Sequence, residues 1–161
     1  MVVDCYGAAM RILKHRFNSE AELRRKLRSK KFETADIDAT LERLRAERWL
    51  DDDRFAGAFV RTRANKQVGK LRIRRELQAA GVSNDSAAQA IVENVDPERE
   101  LENLVALCGK KMRFLVRKHG PEYVKTREGR SKLAAYLVMQ GYDSTLVWQV
   151  VRDVSAAEST S

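Results

Sequence analysis

Three stretches of this chain align with one another without a gap. They are SEAELRRKLRSKKFETADIDATLERL from Ser19 to Leu44, GKLRIRRELQAAGVSNDSAAQAIVEN from Gly69 to Asn94, and GRSKLAAYLVMQGYDSTLVWQVVRDV from Gly129 to Val154. Leu23 matches Ile73 and Leu133, and Leu27 matches Leu77 and Leu137. Phe32 matches Val82 and Tyr142, Ile37 matches Ala87 and Val147, and Leu41 matches Ile91 and Val151. Self-similarity at a nearly fixed period marks one supersecondary unit used several times. The offset is 50 residues, then 60, so the third copy carries about ten extra residues ahead of its repeat segment.

Each segment reads as helix, turn, helix. Apolar residues four apart, such as Leu23 with Leu27 and Ile73 with Leu77, stack on one helix face. Gly81 and Gly141 then fall where a left-handed helix end is wanted. Lys31 holds that place in the first copy, so its turn is expected to be strained or to use another geometry. Ser83 and Asp143 are expected to cap the helices that follow, with Thr34 doing so in the first copy. An earlier helix precedes each pair. Met10, Leu13 and Phe17 give it an apolar stripe, and Ser19 with Glu22 reads as a capping box for the next helix. Phe55 and Phe59 form the second stripe, with Asp51 or Asp52 as cap. Asp96-Pro97-Glu98 opens the third, followed by Leu101, Leu104, Val105, Leu107, Met112, Leu115 and Val116. All these apolar residues are expected to be core. Only two prolines and eight glycines interrupt the chain, and no stretch reads as a strand.

The expected fold is therefore all-α: three tandem three-helix repeats, about nine helices, in an elongated array. The units span 1–50, 51–95 and 96–155, with 156–161 as a disordered tail. One unit of about 50 residues is marginal alone, so the units must lean on one another.

Charge alternates along the chain. Residues 1–32 carry nine Lys/Arg against three acids, and residues 33–60 carry four against eight. Residues 61–81 carry seven against one, and 82–108 one against six. Residues 109–132 carry nine against two, and 133–161 one against three. The net charge is +8. Two readings follow and coexist: neighbouring units attract through opposite charges, and the basic blocks track a long acidic partner. With Ile73 and Leu77 facing inward, Arg75 and Gln78 point outward and Arg72 and Arg74 lie on the flanks. Arg25 and Arg28 are the outward equivalents in the first unit. In the third these become Ala135 and Val138, with Lys125, Arg127, Arg130 and Lys132 just ahead.

Several function classes are set aside. GKLRIRREL at Gly69–Leu77 lacks the second glycine and the preceding strand of a phosphate loop. The third helix of each unit is acidic or apolar, which argues against sequence-specific DNA reading. His15 and His119 each sit in a basic run, and Asp51, Asp52 and Asp53 spread around a helix axis, so no catalytic constellation is expected. Cys5 and Cys108 have no metal-ligand spacing and suggest a reducing compartment. No export signal or membrane span is read, and the expected location is cytoplasmic.

Trp49-Leu50-Asp51-Asp52-Asp53-Arg54-Phe55-Ala56, then Gly69-x-x-Arg72-Ile73-Arg74-x-Glu76-Leu77 and Gly81-Val82, resemble the RecX family of regulatory proteins. So does Ser19-x-x-Glu22-Leu23-Arg24-x-Lys26-Leu27, and the likeness runs over about residues 8–152. The chain departs in having Lys70 where the family often has proline. The resemblance implies a binding modulator of the RecA recombinase rather than an enzyme, working without a cofactor. It implies binding in the groove of the RecA–DNA filament, bridging neighbouring protomers and interfering with filament growth, ATP hydrolysis and strand exchange. DNA, single- or double-stranded, is then a partner directly or through the filament, no membrane is involved, and the chain is expected to be monomeric. Lys70, Arg72 and Arg75 are the expected central contacts, flanked by Arg61, Arg63 and Lys66. Arg24, Arg25, Arg28, Arg127, Arg130 and Lys132 extend the surface. The alternative is a non-sequence-specific DNA-binding protein without a RecA target.

Overall fold

A computed structural model describes residues 3–157. They form nine α-helices and one 3-10 turn, with no strand among the described residues, so the chain is all-α as the periodicity predicts. The helices are α1 Cys5–His15, α2 Glu20–Ser29, α3 Thr34–Ala46, α4 Asp52–Asn65, α5 Lys70–Ala79, α6 Asn84–Asn94, α7 Pro97–His119, α8 Arg127–Met139 and α9 Ser144–Ala157. The 3-10 turn is Tyr123–Lys125. No helix among the described residues is long and apolar enough to cross a membrane.

Two compact units emerge, and their boundary falls inside α4 and inside α5. One holds the residues up to Phe59 together with Glu76–Glu93; the other holds Val60–Arg75 and the residues from Asn94 on.

In the first unit the core is Ala8, Ala9, Leu23, Leu27, Ile37, Leu41, Leu44 and Leu50, with Cys5 buried beside them. The α2 capping box forms as expected: Ser19 Oγ accepts from the Glu22 N–H, and the Glu22 carboxylate accepts from the Ser19 N–H. Two expectations fail here, at Phe17 and at Thr34. Phe17 lies beyond the end of α1 and is 55% exposed. Phe55 is buried, whereas Trp49, just ahead of the acidic run, is 51% exposed. Thr34 is the first residue of α3 rather than its cap; Glu33 stands at the cap and makes no side-chain capping bond.

In the second unit Leu104, Leu107, Cys108, Met112 and Leu115 of α7 pack with Leu133, Leu137, Tyr142, Val147, Val150 and Val151. Leu101 and Val105, expected in this core, are 41% and 45% exposed. Asp96 caps α7 and Pro97 occupies its first turn. The extra length of the third repeat enters largely through α7, which has 23 residues against 14 in α4. Helix α9 continues through Ala156 and Ala157, assigned above to a tail; 158–161 lie outside the described residues.

One contact recurs between successive repeats. The Ser19 hydroxyl donates to the Ala80 carbonyl, and Ala21 lies so close to Gly81 that a Cβ there would meet its methyl at 2.3 Å. Fifty residues later in the first partner and sixty in the second, the Gly69 N–H donates to the Gln140 carbonyl at 2.8 Å. The Leu71 N–H likewise donates to the Gly141 carbonyl at 3.0 Å. Thus the start of the second helix in the first and in the second repeat packs on the turn of the repeat that follows. Gly81 and Gly141 adopt φ of 83° and 101°, which glycine populates freely. Lys31, the equivalent residue in the first repeat, adopts φ 68° and carries the strain anticipated for it.

Candidate cationic contact surfaces

Acidic residues at the start of one repeat hold the start of the basic helix before it. The Glu20 N–H donates to Asp52 Oδ1 at 2.9 Å, and its counterpart, the Lys70 N–H, donates to Glu100 Oε1 at 3.2 Å. Helix N-termini leave backbone N–H groups unpaired and attract negative charge, so these carboxylates act as caps supplied by the next repeat. Asp51 meanwhile caps α4 through the Arg54 N–H. Part of the acidic share is therefore consumed inside the fold by backbone N–H groups.

In the first unit α2 buries Leu23 and Leu27 and turns Arg25 and Arg28 to solvent. Arg24 is half-buried and paired with Asp38. Lys26 contacts Asn18, and its ammonium pKa is lowered, first by burial and then by the Arg16 charge.

In the second unit the candidates divide by what they already hold. Arg75 and Lys66 are exposed. Arg61 donates to Asn94 Oδ1 at 2.9 Å, and Arg63, half-buried, is also engaged. Lys70 lies 3.6 Å from Glu100; its ammonium is exposed, whereas the Glu100 carboxylate is largely buried and also accepts from the Lys70 N–H. Arg72 is half-buried: its Nη1 is 3.5 Å from Gln140 Oε1, and its stem lies against Gly141. Arg130 donates to the Lys125 carbonyl and leaves its Nε buried without a hydrogen-bond partner. Arg127 is exposed. Lys132 is exposed near Glu128 and the Tyr123 ring, and the Tyr123 hydroxyl is the main cause raising its pKa.

The sequence reading missed one exposed face on the C-terminal half of α7. Lys110, Arg113 and Arg117 recur at i, i+3 and i+7 and share a face with Phe114, which is 46% exposed. Lys111 lies 4.7 Å from the centroids of both Phe114 and Tyr136. The i, i+3, i+7 spacing was the available signal. Among the described residues, no group of three or more His, Cys, Asp or Glu side chains is placed to hold a metal ion. His15 is exposed, and His119 stacks on Tyr123 with centroids 4.2 Å apart.

Residues 5–44 match the family model for RecX, first three-helix domain, and residues 51–91 match that for RecX, second three-helix domain. The regulatory protein RecX of Haemophilus influenzae (strain PittGG) is 34% identical over 143 residues, covering 86% of this chain and 87% of that protein. The chain belongs to the RecX family. The RecX of Clostridium perfringens (strain 13 / Type A) is 30% identical over 156 residues, covering 97% of this chain and 71% of its relative. The crystal structure of RecX from Lactobacillus salivarius superposes with a TM-score of 0.77 at 22% identity, over 94% of this chain and 95% of that one. A second RecX crystal structure gives 0.79 at 23% identity, over 92% and 70%. At those identities the likeness speaks for the fold, and it places the helical repeats within the RecX architecture.

Proposed function

We propose that this chain regulates homologous recombination and DNA repair by binding the groove of the RecA–DNA filament. There it bridges neighbouring protomers and inhibits or tunes filament growth, ATP hydrolysis and strand exchange. It acts as a cytoplasmic monomer, by binding rather than by catalysis, and without a cofactor. The observation that carries this reading is the exposure of Arg75 on a helix whose opposite face, Ile73 and Leu77, is fully buried. An exposed cation without a side-chain partner adds almost nothing to folding. Its charge stays free for an acidic protein surface or a phosphate. Arg61, Arg63, Lys66, Lys70, Arg72, Arg127, Arg130 and Lys132 supply further charge in the same unit, and Arg24, Arg25 and Arg28 in the other.

The test is retention on RecA–single-strand filaments compared with naked DNA at equal salt, with RecA ATP hydrolysis followed in parallel. Preferential retention and slowed hydrolysis are expected. Equal retention on both, with hydrolysis untouched, refutes the RecA target. The face formed by Lys110, Arg113, Arg117 and Phe114 favours the second reading, a non-sequence-specific DNA-binding protein. Cations interleaved with an exposed ring suit phosphates and stacked bases.

A further inference from the structure

The turn between α2 and α3 lacks the covering that its counterparts have. Ser19 and Ala21 pack on Ala80 and Gly81, and Gly69 and Leu71 bond Gln140 and Gly141. Beneath those contacts Val82 and Tyr142 are 4% and 1% exposed. The equivalent residues of the first repeat are Lys30, Lys31 and Phe32. Both lysines are exposed and Phe32 is only half-buried. Lys31 also carries a Cβ where Gly81 and Gly141 have none, and it is this space that receives the neighbouring helix end. The first repeat therefore cannot repeat the docking mode used inside the chain.

A cleft of about 530 Å³ opens instead between α1 and this turn. Ala8, Ile12 and Phe32 give it an apolar floor continuous with the first core. Arg11, His15 and Lys30 stand on its rim, and no carboxylate lines it. Arg11 and His15 are one helical turn apart on α1 and face the same way. Among the described residues Arg11 and Lys30 have no side-chain hydrogen-bond or ion-pair partner, whereas Arg16, Arg24, Arg43 and Arg45 in the same unit all do. None of the cleft residues belongs to the cationic set invoked for the filament.

We propose that this cleft docks an acidic peptide segment of a partner protein. A bulky apolar side chain enters over Ile12 and Phe32, and flanking carboxylates meet Arg11 and Lys30. Charge complementarity selects this occupant. A nucleic-acid backbone satisfies the cations and leaves the apolar floor wet, and a second copy of a chain with net charge +8 is repelled from a basic rim. Carboxylates on arginine and lysine form charge-assisted hydrogen bonds, and the apolar anchor adds the recessed contact that interface hot spots require. The proposal does not rest on the RecA reading and survives its failure.

The test is fluorescence anisotropy of a labelled peptide, DEDFEDD, titrated with the full chain, beside a control peptide, DEDSEDD. The expected result is binding by the first that weakens about tenfold in Arg11→Ala/Lys30→Ala, and by a similar factor for the serine control. Both substitutions fall on exposed side chains, and helical circular dichroism checks that the fold persists. Undiminished affinity in the double variant, or equal affinity for both peptides, overturns the proposal. So does a single-stranded oligonucleotide that loses as much affinity as the peptide in the same variant. A dimer in sedimentation that dissociates on Arg11→Ala/Lys30→Ala also overturns it, because the occupant is then a second copy.

Discussion

Gly141 lies directly against Arg72: a Cβ on residue 141 would come within 2.4 Å of the Arg72 Cβ and 2.7 Å of its backbone nitrogen. The same space is bounded by the Gly69 carbonyl at 2.7 Å, and Gly69 itself has room for no side chain against Gly141. Two glycines from different repeats thus make a backbone-on-backbone contact, closed by the Gly69-to-Gln140 and Leu71-to-Gly141 hydrogen bonds. Ser19, Ala21, Ala80 and Gly81 make the corresponding contact in the other unit, but there the partners are side chains.

That difference predicts unequal costs for adding one methyl group. Gly141→Ala introduces both a disfavoured positive φ and a clash with immovable backbone. It should destabilise by about 3 kcal/mol or more. Gly81→Ala meets chiefly the Ala21 methyl, and the double change Gly81→Ala/Ala21→Gly should recover part of the loss. Urea unfolding of the three variants measures this. A Gly141→Ala protein with an unchanged midpoint contradicts the close approach.

Lys31 predicts the opposite sign. A non-glycine residue in the left-handed region costs about 1–2 kcal/mol. Glycine relieves that cost but brings about 0.5–1 kcal/mol of extra chain entropy. Lys31→Gly should therefore stabilise by roughly 0.5–1 kcal/mol. An unfolding midpoint that fails to rise in this variant shows that the turn is not strained.

Local pattern made much of this fold legible. Leu23 and Leu27, Ile73 and Leu77, and Leu133 and Leu137 recur four residues apart, and all six are fully buried. Ser19, Ser83, Asp96 and Asp143 cap the helices that their spacing announces. The misses are of another kind. Glu20 is capped by Asp52 and Lys70 by Glu100, partners 32 and 30 residues away, and no local signal pairs them. Leu101 and Val105 share an apolar face, but periodicity cannot say whether another element covers it. The same blindness hid what stands beside Arg72, read from the sequence as a cation on the helix flank. Its register on α5 was right, whereas the turn it packs against comes from the third repeat.

Alkaline pH should weaken the second unit through two buried acids. Burial pushes the Tyr142 hydroxyl up to about 12 and the Cys108 thiol up to about 11. Tyr142 also donates to the Gln67 carbonyl at 2.7 Å, a bond that its anion cannot make. Both groups hold their protons more tightly when folded than unfolded, where they ionise near 10 and 9. Their contribution is thus complete below about pH 9 and is lost as pH rises through 11 and 12. Stability measured by urea midpoint should fall above pH 9. Tyr142→Phe should cost about 1 kcal/mol at neutral pH yet flatten the decline above pH 10. Parallel curves for the two proteins would exclude Tyr142 as a cause.

Arg72 and Arg75 should separate stability from binding. Arg72 is half-buried against Gly141 and Gln140, whereas Arg75 is exposed. Arg72→Ala should cost about 1 kcal/mol, because its stem no longer packs and its hydrogen bond is gone. Arg75→Ala should stay within about 0.5 kcal/mol of the parent, because nothing in the fold leans on it. If the cations grip phosphate, Arg75→Ala should weaken binding to filaments or single strands. It should also flatten the logarithmic salt dependence by about 0.7 for each phosphate no longer neutralised. Binding to acidic protein instead weakens with salt without that fixed increment. Thermal melting beside filament binding at several salt concentrations distinguishes these outcomes. Arg75→Ala with parental melting and parental filament binding at every salt removes Arg75 from the binding surface.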